Sequence, residues 1–353
     1  MKLNQINLAK AEISKYVGSM SQIADARPAR LTDGKADGVK IIEVKNGSGL
    51  EFTVIPGRCL DIAWTNYKGN ALSYISKTGI VKAEFYEASD FGFLRNFFCG
   101  LITTCGLTYM GAPCLDEGEA LGLHGRISNT PAEDVSISKD WEGDEYVISI
   151  SGNVRESRVF HENLLLKRTI KVYAGRNEIH IIDLIENQGF KSQPLMFMYH
   201  CNFGYPLVGE HTRLLLPEDN KVTARDEEAK RGIELFDQFQ KPEPDYKEQV
   251  FYHDIPKGEH GYSCACLYNE ELSIGAYVKM DKKNLPIMVE WKMMGEGDYV
   301  VGLEPSTNYP EGRKLARERG QLKMISPGEC IEFNLSIGVV ESKEEYQRIL
   351  RMC

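Results

Sequence analysis

Beyond residue 38, hydrophobic and polar positions alternate with a period of two along most of the chain. Val39 and Ile41 lead into Asn46-Gly47-Ser48-Gly49, and Leu50, Phe52 and Val54 alternate on the far side. That pattern predicts two strands joined by a tight turn. Leu60, Ile62 and Trp64 form the next run, closed by the turn-like Tyr67-Lys68-Gly69-Asn70. Ile148 and Ile150, Ile170 and Val172, then Ile179 and Ile181 repeat the signal, with Ala174-Gly175-Arg176-Asn177 as the turn between the last two pairs. Ile331, Phe333, Leu335 and Ile337 alternate near the end. Period-two patterning of this kind marks strands with one buried face.

Helical patterning is sparse. Residues 6–20 place Ile6, Ala9, Ile13 and Val17 on one side of an amphipathic helix. Glu341–Leu350 predicts a short C-terminal helix capped by Ser342. Asp219–Glu248 is polar and carries Pro242 and Pro244, so it reads as a long surface excursion, with strand patterns resuming after it. Many strands and turns without alternating helices predict a mainly β protein, a large antiparallel β-sandwich with few short helices. The expected organisation is a partly helical N-terminal extension, residues 1–37, packed on a single sandwich domain, residues 38–353.

Composition narrows the function. The 353 residues carry 42 Lys+Arg against 51 Asp+Glu, a net charge of −9. Phosphate backbones want clustered cations, so nucleic acid is not the expected partner. Apolar stretches fall short of the ~20 residues of a spanning helix, and the N-terminus lacks the apolar core of a secretory signal. No membrane association and a cytoplasmic location are expected. Nine cysteines, an odd number without a C-x-x-C pair, read as reduced thiols rather than a disulfide framework or zinc site.

Three segments hold polar groups where a buried strand should be apolar. In Leu121–Ala132, His124 sits between Leu123 and Gly125, and Gly122 and Gly125 permit close backbone approach to a ligand. In Pro194–Leu207, His200 and Asn202 interrupt an apolar run. In Asp298–Gly312, Glu304 ends a strand-like run just before Pro305. Singly, each histidine also fits a hydrogen-bonded core residue, and Glu304 also fits a solvated strand end.

Taken in order, Leu123-His124-Gly125, His200-Cys201-Asn202-Phe203 and Leu303-Glu304-Pro305-Ser306-Thr307-Asn308-Tyr309-Pro310 resemble the ordered motifs of the aldose 1-epimerase and galactose mutarotase superfamily. Pro56–Trp64, Gly100–Leu107 and Gly122–Glu133 are similar to a divergent bacterial branch of it. The resemblance runs from about Gly38 to Val340. It implies a sugar bound on the concave face of one sheet and interconversion of its anomers. It makes Glu304 the general base for the anomeric hydroxyl, His200 the general acid at the ring oxygen and His124 a second histidine near that oxygen. Arg95 stands where the family holds substrate with arginine. A substrate-binding aspartate expected between the second histidine and the glutamate has no assigned position.

Opening a cyclic hemiacetal needs one base and one acid across one carbon, so neither metal nor redox cofactor is expected. Arg58 and Arg126 are candidates for an anionic substituent, or for ion pairs, Arg58 with Asp61. Trp64, Tyr109, Tyr199, Tyr205 and, first among them, Tyr309 are candidate stacking platforms. Asn202 and Asn308 can donate to hydroxyls or fasten turns. A cysteine nucleophile (Cys99, Cys105 or Cys114) beside His124, and a metal at His253, Asp254 and His260, have weaker grounds. The alternatives kept open are epimerisation or isomerisation at another carbon, action on a sugar phosphate or sugar acid, and a non-catalytic sugar-binding regulator. The expected partner is a small sugar, and the expected state a monomer or homodimer.

Overall fold

A computed structural model describes residues 2–3, 6–7 and 9–352. Two large sheets, antiparallel throughout their strand ladders, lie face to face. The smaller runs Glu133–Glu142, Glu145–Ser157, Asn163–Tyr173, Glu178–Asn187, Cys330–Val340, Ile274–Asp281, Tyr262–Asn269, Thr212–Leu215. The larger runs Lys221–Ala224, Gln249–Asp254, Ile287–Gly295, Asp298–Ser306, Met198–Gly204, Ile102–Cys105, Asp61–Tyr67, Leu50–Ile55, Lys40–Lys45, Asp25–Arg30.

The alternation seen in the sequence becomes the core. Ile170 pairs with Ile181 and Val172 with Ile179 across the predicted turn. Their side chains meet Ile42, Val44, Phe52, Ile62 and Leu303 of the facing sheet in one apolar layer. Burying such side chains contributes about 1.5–3 kcal/mol each. The Ser342 hydroxyl accepts from the Glu345 amide at 3.1 Å and opens the C-terminal helix Lys343–Met352.

Two expectations shift. The N-terminal helix is only Lys10–Ile13, and Ile6–Asn7 pairs with Lys2–Leu3 instead; residue 8 lies outside the described residues. Ile13 is the one buried position in that helix, and a helix without an apolar stripe to bury does not propagate. Asp219–Glu248 is more than a surface excursion. Lys221–Ala224 forms the end strand of the larger sheet, Phe239 is buried in the core, and Lys292 Nζ donates to the carbonyls of Leu235 and Gln238 at 2.8 and 2.7 Å. At the opposite end Asp25–Arg30 adds the last strand, where Pro28 suits an edge because it cannot donate to a ladder.

One charged knot crosses the apolar layer. Arg168, 1% exposed, grips Asp183 on its own sheet through Nε and Nη2 at 2.9 and 2.7 Å. Its Nη1 reaches the other sheet, to Asp61 Oδ1 at 3.2 Å, Thr104 Oγ1 at 2.8 Å and the Cys59 carbonyl at 3.0 Å. The Tyr199 hydroxyl donates back to Asp183 at 2.7 Å. Burial pushes the Asp61 carboxyl up to about 6, against the pull of Arg168. Removing one member leaves the others as uncompensated buried charges. Arg168→Met is therefore expected to lose about 3–5 kcal/mol in urea unfolding. Replacing Arg168, Asp61 and Asp183 together by apolar residues should cost less than the single change, and a harmless Arg168→Met would deny the knot its role.

Candidate active site

Side chains alternate along Met198–Gly204. Tyr199, Cys201 and Phe203 enter the core, so His200 and Asn202 face the other side of the larger sheet. On the next strand Cys201 pairs with Leu303 and Asn202 with Gly302, which brings Glu304 alongside His200 on the same face. Val289 pairs with Glu304 and Trp291 with Gly302 one strand further on. Gly302 makes room for the carboxylate: a Cβ there would lie 2.4 Å from Glu304 Oε1.

His124 arrives on a loop held by backbone hydrogen bonds. Its amide donates to the Gly111 carbonyl at 2.9 Å and its carbonyl accepts from Gly106 at 3.1 Å. A Cβ at Gly125 would lie 2.2 Å from the Gly106 carbonyl oxygen, and one at Gly122 would lie 2.1 Å from that of Ala88. These glycines thus admit the protein's own backbone, not a ligand as the sequence suggested. The result is an edge-on imidazole pair, His124 and His200, with ring centroids 5.5 Å apart.

The three expected catalytic residues therefore converge. His200 Nε2 lies 3.1 Å from Glu304 Oε1, yet the two are not aligned as a hydrogen bond, and that oxygen has no hydrogen-bond partner within the protein. Neither do His200 Nδ1, His124 Nδ1 and Asn202 Oδ1, while Asn202 Nδ2 donates to the His200 carbonyl at 2.9 Å. Phe97 and Trp291 stand 5.0 and 5.3 Å from the His200 ring, and Phe93 5.3 Å from His124. His200 and Glu304 are buried, whereas His124 and Trp291 are partly exposed.

Sequence reasoning missed Trp291, Glu248 and Arg225. Trp291 Nε1 donates to Glu248 Oε2 at 2.9 Å, and Arg225 Nη2 donates to Glu248 Oε1 at 3.0 Å. Both charges act on Glu304, Glu248 raising its proton affinity and Arg225 lowering it. Glu248 lies in the chain between His200 and Glu304, where the resemblance called for an acidic residue. Its only sequence signal was that order, hidden in a polar stretch.

Other candidates lie elsewhere. Arg58, 1% exposed, donates to the backbone carbonyls of Ser128, Val81 and Asn96 at 2.6, 2.8 and 3.0 Å. With Nε and both terminal nitrogens engaged, it is a structural residue and not a substrate ligand. Its expected partner Asp61 is held by Arg168 instead. The Arg95 side chain is 73% exposed and pairs with Glu87 at 3.2 Å, although its neighbours Phe93 and Phe97 wall the histidines. Arg126 lies over the Tyr109 ring at 4.9 Å and 3.9 Å from Glu119. Tyr309 packs on Tyr252 at 4.5 Å, in a cluster that includes Trp291 and Val289. Tyr199 belongs to the core knot, and Trp64 and Tyr205 are exposed. Asn308 Nδ2 fastens the Gln321 carbonyl at 2.8 Å. Burial holds the Cys99 and Cys105 thiols well above their usual range, which is wrong for a nucleophile.

A second buried histidine–carboxylate pair gives a control. On the core face of the same sheet, His253 Nε2 and Glu290 Oε2 hydrogen-bond at 2.9 Å, and Asn220 occupies His253 Nδ1 at 3.1 Å. Asp254 follows on the opposite side of the strand and pairs with Lys282 at 2.9 Å, so the residues of the suggested metal cluster diverge.

Burial sets the proton affinities of the candidate site. It raises Glu304 well above the ordinary carboxylate range. It lowers His200 well below the imidazole range, helped by His124, and lowers His124 to about 4. A raised carboxyl contributes stability that is present below its unfolded value of 4.5 and lost as pH rises through the folded value. Glu304→Gln should therefore melt higher than the parent by on the order of 2 °C, with a margin that is absent below pH 4.5 and widens above it. A margin independent of pH in calorimetry would contradict a strained carboxylate.

Comparison with known proteins bears on the family and the fold. A protein of Klebsiella pneumoniae subsp. pneumoniae, provisionally named an aldose 1-epimerase, superposes with a TM-score of 0.88 at 25% identity, over 94% of this chain and 89% of its own. A galactose mutarotase-like protein of Clostridium acetobutylicum gives 0.63 at 15% identity, over 90% and 99%. A galactose 1-epimerase of Lactobacillus acidophilus gives 0.59 at 12% identity, over 90% and 99%. No curated protein matches the chain in sequence. A family model described as a domain of unknown function, DUF4432, matches residues 36–339. The chain belongs to that family, and its sandwich is of the galactose mutarotase-like type.

Proposed function

We propose that the protein interconverts the anomers of an aldose or a close derivative. The observation that carries this reading is the set of buried polar atoms on His124, His200, Glu304 and Asn202 that converge on one face without partners in the protein. An unpaired buried polar atom costs about 1–3 kcal/mol, and a ring bearing hydroxyls and a hemiacetal oxygen offers each of them a partner. The structural neighbours named as aldose and galactose 1-epimerases support the same reading.

In this scheme Glu304 takes the proton of the anomeric hydroxyl, and His200, with His124 beside it, delivers one to the ring oxygen. The C–O ring bond breaks, the carbonyl turns its other face, and the steps reverse. These shifts rest the shared proton on Glu304, so the scheme runs through the minor tautomer, formed when the proton passes from Glu304 to His200 Nε2 across 3.1 Å, and that tautomer is the more reactive one. A carboxylate pushed up is a stronger base once ionised, and an imidazolium pushed down is a stronger acid. Burial disfavours net charge on the pair, so it retains one proton between the two groups. Trp291, flanked by Phe97, offers an aromatic face to the sugar's C–H groups.

Saturation-transfer NMR across free aldoses, uronates and sugar phosphates would detect anomer exchange. Glu304→Gln and His200→Asn should each slow it about 10²–10⁴-fold while sugar still binds. Full activity in Glu304→Gln would remove the base from this scheme, and binding without exchange across the panel would favour a non-catalytic sugar-binding protein. Because the lowered imidazole and raised carboxyl set the two ends of the one-proton state, kcat/KM should be bell-shaped, with the acid limb lost in His200→Asn and the alkaline limb lost in Glu304→Gln. A profile whose limbs both survive these changes would show that the pair is not the proton-transfer unit. Trp291→Ala should raise KM by roughly threefold to tenfold, about the value of one aromatic contact.

A further inference from the structure

The open side of the sandwich holds a cavity of about 830 Å³, walled by the two outermost strands that face each other there. Lys139 on Glu133–Glu142 pairs with Asp25 at 2.8 Å and pins the sheets at one end of this edge. Toward the other end the pairing of Glu133–Glu142 with its neighbour Glu145–Ser157 shifts register between Glu133 and Ser136, beside the cavity wall at Val135. Val39, Ile41, Ile42, Val135 and Ile137 give the cavity an aliphatic wall. Val135 is 38% exposed, although it lies on this wall.

Arg30, Lys40 and Lys82 stand around the same space, against a single lining carboxylate, Glu84. Among the described residues no carboxylate lies within 4.0 Å of any of the three cations. An aliphatic wall beside three cations without ion-pair partners is matched by one chemistry. We propose that this cavity binds a small amphipathic anion, a single carboxylate or phosphate on an apolar body, at a site separate from His200 and Glu304. The apolar body covers the wall, and the anionic head meets Arg30, Lys40 and Lys82. Volumes of roughly 300–1,000 Å³ are usual for small-molecule sites.

The cavity also touches the frame of the catalytic wall. Arg58 lines it and donates to the carbonyls of Val81 and Asn96 at 2.8 and 3.0 Å. Asn96 Nδ2 donates to the Lys82 carbonyl at 3.3 Å, and Asn96 lies between Phe93 and Phe97, the aromatic neighbours of the histidines. A ligand here therefore touches Arg58 and Lys82, which are hydrogen-bonded to the segment that carries those rings.

Calorimetric titration of the intact protein with octanoate, octyl phosphate, octanol and inorganic phosphate tests this. Octanoate or octyl phosphate should bind at one site, and whichever binds tighter identifies the head group. Octanol and inorganic phosphate should each bind at least about tenfold more weakly. The double variant Lys40→Gln and Lys82→Gln should weaken the anionic amphiphile by about tenfold or more with anomer exchange unchanged in its absence. Equal binding of inorganic phosphate would reduce the site to a plain anion site, and equal binding of octanol would make the cations irrelevant. Either result overturns the proposal, as does no binding of both amphiphiles at millimolar concentration or full retention in the double variant. The four-ligand comparison on the parent protein keeps the test decisive if the variant folds poorly.

Discussion

Arg168 is the constraint on which the arrangement depends. A guanidinium sealed between two sheets has to find acceptors on both, and it does so with Asp183 on one side and Asp61, Thr104 and the Cys59 carbonyl on the other. An apolar layer alone would hold the sheets together without fixing how one slides over the other, because hydrophobic burial is non-directional. Directed hydrogen bonds to charged groups supply that register. The Tyr199 hydroxyl joins the same knot, so the strand Met198–Gly204 is fixed from its core side. The next residue, His200, then projects from the opposite side at a set position.

That strand shows how the sandwich divides its labour. One face of the larger sheet is packed against its partner sheet, and the other carries the candidate site. The two histidine–carboxylate pairs make the division visible. His253 and Glu290 face inward and are aligned in a hydrogen bond, with Asn220 on the second ring nitrogen. His200 and Glu304 face outward at a similar distance but are not aligned, and atoms on both side chains lack protein partners. The inner pair is joined directly and leaves Glu290 Oε1 without a partner, whereas the outer pair leaves an atom open on each side chain, His200 Nδ1 and Glu304 Oε1. Unsatisfied buried polar atoms are a cost in stability, and such costs concentrate where a protein meets its ligand.

The aromatic surroundings follow from the same economy of faces. Phe93, Phe97 and Trp291 surround the imidazoles and keep them in a medium of low dielectric. That medium raises Glu304 and lowers His200 through one cause, the loss of water around charge. Glu248 and Arg225 adjust Glu304 from the side, in opposite senses. Both come from the polar segment that folds back as the end of the larger sheet.

The sequence by itself determined the strands, because burial of one face imposes period two, and this was legible at Ile170, Val172, Ile179 and Ile181 as it was at the C-terminal Ser342 cap. It also marked His124, His200 and Glu304, since polar residues inside apolar runs stand out against that period. The tertiary structure alone decided which arginines matter. Arg58 looked available for a ligand, but its guanidinium is consumed by three backbone carbonyls brought together from distant segments. Arg168 falls in step with Leu166 and Ile170 on the buried face of its strand, but nothing local in the chain names the acceptors that await it on the facing sheet. Trp291 and Glu248 entered the site only through pairing register and a returning loop. Periodicity is a local property of the chain. The partners of a buried charge are set by segments far apart in sequence, and only the folded arrangement of the sheets chooses them.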